Sequence, residues 1–79
     1  MLSPEIIEQF KEGLFRDENE QVRVMRNVLL TVRQRQEIFQ AGLEISDILN
    51  GRYPANSTLI PELFKDWNSK LGFECFRTL

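Results

Sequence analysis

Apolar residues recur at helical spacing along nearly the whole chain. Ile7, Phe10 and Leu14, with Ile6 beside them, form a first stripe. Val22, Met25, Leu29, Val32, Phe39 and Leu43 form a second, longer one that no proline interrupts, and Ile38, Ala41, Gly42, Ile45, Ile48 and Leu49 prolong the pattern to Asn50. Leu63, Phe64, Trp67 and Leu71 make a third. Steps of three, four and seven residues align side chains along one face of an α-helix. The pattern predicts an all-α domain, a small bundle of three to four helices spanning residues 1–79 as one unit. The central stripe is longer than a domain this small buries alone, so part of it is expected to face a protein partner or a second copy that completes the bundle.

The punctuation between the stripes places the helix ends. Ser3-Pro4-Glu5 reads as an N-cap, a proline at the first helical position and an acid in the first turn, opening a helix to about Phe15. Asp17 and Glu20 have capping-box spacing and start the next helix near Glu18. A helix from Glu18 to Asn50 would be roughly 50 Å long at 1.5 Å per residue, so a break is expected near Thr31, a plausible N-cap, or near Gly42. Gly42 is either a small residue at a close crossing or the break itself. The β-branched runs QVRVM and VLLTV admit a rival hairpin about Arg26-Asn27, although Arg-Asn suits a two-residue turn poorly. Asn50-Gly51 is a stop and Arg52 to Asn56 a loop. Ser57 or Thr58 then caps a last helix that contains Pro61 in its first turn and ends at Gly72, with Phe73 placed to fold back on Trp67.

Charge sharpens this picture by its distribution. The total is −2, from ten basic and twelve acidic residues. Residues 1–20 carry six acids against Lys11 and Arg16, a sum of −4. Residues 21–36 carry Arg23, Arg26, Arg33 and Arg35 and no acid, a sum of +4. The simplest expectation is two solvated faces that pair with each other, with the arginines also suited to flank an apolar interface. Chemistry is sparse. The chain has no histidine, the commonest general base and a frequent zinc ligand, and Cys75 is its one cysteine. No metal site, cofactor or catalytic pair is expected; Glu5, Glu8 and Glu12 look like a solvated helix face. Reduced cysteine usage, an acidic N-terminal segment and no 18-residue apolar run lead to the expectation of a cytoplasmic protein away from the membrane. The aromatic set Phe64, Trp67, Phe73 and Phe76 reads as core, Phe73 and Phe76 being the more exposed, and Cys75 as a partly buried, inert thiol.

Two partial resemblances bear on function. Ile48-Leu49-Asn50-Gly51-Arg52-Tyr53-Pro54, followed by Ser57-Thr58-Leu59-Ile60, resembles the segment of Cro/C1-type helix-turn-helix repressors that joins the recognition helix to the next helix. Leu30-Thr31-Val32-Arg33-Gln34 and Lys70-Leu71-Gly72 resemble the two ends of LuxR-type DNA-binding domains. The first resemblance implies that Ser46, Asp47, Asn50 and Arg52 lie near DNA.

The sequence therefore supports a small, non-catalytic regulatory protein, of bacterial or phage type, that binds another protein or itself through Val22, Met25, Arg26, Leu29, Val32, Arg33 and Phe39. The alternative is a divergent helix-turn-helix transcription regulator meeting DNA through Arg33, Arg35, Ser46, Asn50 and Arg52. A helix continuous through Gly42 favours the first, and a sharp turn there the second.

Overall fold

The structure, a computed structural model, describes residues 2–78 and is all α-helical, with no strand among the described residues. Helix α1 spans Pro4–Glu12 and α2 spans Glu18–Val24, which runs directly into a wide π-helical turn, Met25–Leu29. Helices α3 (Val32–Gln40), α4 (Ile45–Leu49) and α5 (Leu59–Leu71) follow. Among the described residues there are five α-helices where the apolar pattern predicts three or four, because the central stripe breaks at both of its candidate positions. The hairpin alternative is not adopted.

Short-range capping explains each boundary. Ser3 Oγ accepts from Ile6 N–H at 3.3 Å, and α1 ends at Glu12, capped by Gly13 and three residues short of the expected end at Phe15. Asp17 Oδ1 accepts from Glu20 N–H at 2.9 Å, while Glu20 Oε2 accepts from Arg16 N–H at 2.9 Å. One of the donors left free at the start of α2 is thus satisfied, and the second bond fixes the chain just before the cap. The wide turn ends where Leu30 donates to Met25 O at 3.0 Å and then takes extended backbone, φ −93° and ψ 133°. Thr31 restarts the helix with a reciprocal box: Thr31 Oγ1 accepts from Gln34 N–H at 3.0 Å, and Gln34 Oε1 from Thr31 N–H at 3.1 Å.

At the other end of α3, Gly42 adopts φ +74°, a left-handed conformation that only glycine reaches without steric cost. Gly42 N–H donates to Phe39 O and Leu43 N–H to Ile38 O, the bond pattern of a Schellman stop, with Leu43 facing Ile38. The same pair of bonds closes α4, from Gly51 to Ile48 and from Arg52 to Asp47.

The core gathers around α5. Met25, Ile60 and Trp67 are completely buried, and Leu29 nearly so. Trp67 meets Phe76 edge-on at 5.2 Å between ring centroids, and Phe76 stacks on Phe64 at 5.6 Å and reaches Phe10 of α1 at 6.2 Å. Phe64, Trp67 and Phe76 are therefore core, as the aromatic set is read, with Phe73 half-buried against it, and Phe76 takes the place against Trp67 that the sequence assigns to Phe73. The reason is Asn68. Its Oδ1 accepts from Cys75 and Phe76 N–H at 2.9 and 2.8 Å, and its Nδ2 donates to Phe76 O at 2.8 Å, pinning the segment after α5 in a reversed path.

A polar chain orients α3 on this core. Trp67 Nε1–H donates to Gln34 Oε1 at 3.3 Å, Gln34 Nε2–H donates to Asp66 Oδ2 at 2.8 Å, and Lys70 Nζ lies 2.9 Å from Asp66. Lys70 also donates to Leu29 O at 2.8 Å, at the end of the wide turn. The Gln34 hydrogen bond, and then Lys70, hold the Asp66 carboxyl below the usual carboxylate range. A carboxylate with a lowered folded pKa contributes stability above its unfolded pKa of about 3.9, and that stability disappears as pH falls through the folded value. Asp66→Asn should therefore lose less stability than wild type between pH 6 and pH 3, a difference that thermal midpoints at the two pH values will read.

Candidate functional site

The wide turn and the restart at Thr31 reset the helical phase, and this divides the central stripe. Met25 and Leu29 lie in the protein's own core, so neither is open to a partner. Val22 and Leu43 are half-buried, whereas Val32 and Phe39 are 63% and 82% exposed. At about 100° per residue, Val32 and Phe39, seven apart on α3, fall within roughly 20° of each other. Gln34 and Ile38, which face the core, lie on the opposite side. Of the six stripe residues, only Val32 and Phe39 form an outward apolar face, with Gln36 and Arg35 on the same side.

Phe39 stands between two depressions. One is a shallow groove over Val32, Arg35, Gln36 and Gln40. The other is a cleft of about 340 Å³ whose walls bring together Val22 and Arg26 from the α2 side, Arg35, Ile38 and Phe39 of α3, and Leu43, Glu44, Ile45 and Ser46 around the turn and the start of α4. The Schellman stop at Gly42 builds this cleft, because it turns Leu43 toward Ile38 and brings α4 across the end of α3.

Electrostatics favour an anion at this surface. Arg23, Arg26, Arg33 and Arg35 are all exposed, and among the described residues none lies within 4.0 Å of a carboxylate. The expected pairing of the acidic segment 1–20 with the basic segment 21–36 does not form; Arg16 and Glu20 pair weakly at 3.9 Å within the acidic segment instead. Nor do Arg26 and Arg33 share one helix face, since the break at Leu30 separates them. Arg26 and Arg35 are the two that meet at the cleft. The helical pattern would have shown Arg35 beside Phe39 had the phase restarted at Thr31.

The helix-turn-helix candidates are dispersed. A turn does occur at Gly42, the condition that favours the DNA reading, and Arg35 and Ser46 share the cleft. Helix α4, however, has only five residues, about 7.5 Å of axis, and buries Ile45 and Ile48. Asn50 is occupied, donating from Nδ2 to Glu18 Oε2 at 2.9 Å and to Ser46 O at 2.8 Å. Arg52 Nε is 3.2 Å from Asp47 Oδ1. The Asp47 carboxyl also accepts from Glu44 N–H at 2.9 Å, and this bond, then Arg52, keeps it below the ordinary carboxylate range. The short helix thus carries an ionised aspartate among the residues that the resemblance implies lie near DNA.

Elsewhere the chemistry is sparse. Cys75 is half-buried, and burial pushes its thiol pKa up, away from nucleophilic use. Among the described residues no group of three metal-ligating side chains converges, and no helix is long and apolar enough to cross a membrane. No family model, curated protein or solved structure matches this chain.

Proposed function

We propose that this protein is a small, non-catalytic regulator that binds another protein through the outer face of α3, with Phe39 and Val32 as anchors and Arg26 and Arg35 at the rim. The observation that carries this reading is Phe39, a phenylalanine 82% exposed on a well-formed helix. Covering such a ring is worth about 1.5–3 kcal/mol, and aromatic anchors flanked by arginine dominate binding energy at protein interfaces. The absence of histidine and the burial that raises the Cys75 thiol pKa support the non-catalytic part. Of the residues expected to bind, Val22 remains as a wall of the cleft and Arg33 as a flanking charge, while Met25 and Leu29 act only through the fold.

The test compares wild-type protein with Phe39→Asp in affinity capture from native lysate. Because Phe39 makes little contact with the core, the variant should melt within a few degrees of wild type and lose the proteins that wild type retains. Identical capture by both would refute the reading. A second reading, DNA binding by α3 and α4, is favoured by the turn at Gly42 and by the free guanidinium groups of Arg33 and Arg35. It predicts duplex-DNA affinity that falls steeply with salt and weakens in Arg33→Ala or Arg35→Ala; no binding at low salt removes it.

A further inference from the structure

The cleft beside Phe39 has a composition that selects among protein partners. Its lining combines apolar side chains, Val22, Phe39, Leu43 and the buried Ile38 and Ile45, with the polar Arg26, Arg35, Glu44 and Ser46. Its volume of about 340 Å³ is near the lower end of the range for small-ligand sites, room for an anchoring side chain and its neighbours. Arg26 and Arg35 stand on its rim without a carboxylate within 4.0 Å among the described residues, against one acid, Glu44.

Building on the protein-binding reading, we infer that this cleft receives an acidic segment of a partner protein, one that inserts a large apolar side chain against Phe39 and offers flanking carboxylates to Arg26 and Arg35. Guanidinium groups match carboxylates with paired N–H donors and shed water more readily than ammonium groups, so they suit the edge of an apolar contact. A second copy of the chain fits less well. A two-fold contact centred on α3 brings together two helices that each carry Arg33 and Arg35 against one acid, Glu37, so like charge predominates on both sides. Duplex DNA fits less well too, because Val32 and Phe39 would lie against phosphates and Asp47 would repel them.

The experiment displays a random 16-residue peptide library to the immobilised full chain, in parallel with Phe39→Asp and with the double variant Arg26→Glu/Arg35→Glu. All three substitutions replace exposed residues, and thermal midpoints close to wild type confirm the folds. Wild type is expected to enrich peptides that combine Asp or Glu with Leu, Phe or Trp, and the affinity of an enriched peptide should fall about tenfold or more in the double variant, which should enrich basic peptides instead. Apolar peptides without acidic bias, enriched in a Phe39-dependent way, overturn the acidic partner and leave the protein-binding reading standing. Enrichment that ignores Phe39→Asp, or none at all, overturns both. Light scattering that reveals a dimer dissolved by Phe39→Asp assigns the cleft to a second copy, and retention of a 20-base-pair duplex that the double variant loses assigns it to DNA; either result also overturns the inference.

Discussion

Trp67→Ala is expected to lower stability by about 3–5 kcal/mol, the range for removing a large aromatic from a packed core. Trp67 is completely buried, lies 5.2 Å from Phe76 and 6.0 Å from Phe64, and donates its indole N–H to Gln34. Alanine leaves a void that those rings fill only by moving. It also removes a donor from Gln34 Oε1, which keeps only the Thr31 N–H. A domain of this size has total stability of about 5–15 kcal/mol, and each kcal/mol lost lowers the melting midpoint by about 4–8 °C. The variant should therefore melt at least about 12 °C below wild type, as followed by circular dichroism. Trp67→Phe, which refills much of the space but lacks the N–H, should fall between the two. A shift of only a few degrees in Trp67→Ala would mean that the aromatic cluster is not the centre of the core.

Asn68→Ala should have the second largest effect, about 2–4 kcal/mol, although Asn68 is only half-buried. Three hydrogen bonds depend on that one side chain, two into Oδ1 and one from Nδ2, and all three hold residues 75 and 76. Without them Phe76 loses its seat between Trp67 and Phe64. The consequence is chemically visible, because Cys75 is shielded by the same segment. In Asn68→Ala its reaction with an aromatic disulfide reagent at pH 8 should accelerate by an order of magnitude or more, since both shielding and the raised thiol pKa depend on burial. Asn68→Asp retains the acceptor oxygens and loses the donor, so it should show a smaller loss. Equal thiol reactivity in wild type and Asn68→Ala would show that the segment docks by aromatic contacts alone.

These two residues also mark where local pattern stops being informative. Trp67 belongs to a stripe with Leu63, Phe64 and Leu71 that any helical reading places inward, and all four are buried. Asn68 sits beside that stripe with nothing in its identity to mark a clamp. Its partners are backbone groups seven and eight residues on, in a segment without periodicity. Which of Phe73 and Phe76 meets Trp67 is therefore not legible in the sequence. The candidate surface divides in the same way. Val32 and Phe39 are legible as a pair on one face of a helix beginning at Thr31, and the Thr31 cap is legible too. Helical spacing groups Met25 and Leu29 with them because a periodic count carries on through a wide turn that leaves no mark on the spacing.

What the sequence determined by itself is the set of pieces: helices opened by Ser3 and Asp17, candidate breaks at Thr31 and Gly42, stops at Gly51 and Gly72, and an aromatic stripe on α5 committed to the core. Capping bonds and helical periodicity span only three to five residues, so these features are encoded where they occur. The tertiary structure alone decided which apolar residues remain outside. The π-helical turn at Met25–Leu29 and the extended Leu30 rotate α3 relative to α2, and the links from Gln34 to Trp67 and Asp66 hold that rotation. Those links join residues more than thirty positions apart, a distance over which local sequence preference carries no information. They turn Ile38 inward and leave Phe39 facing out beside Arg35.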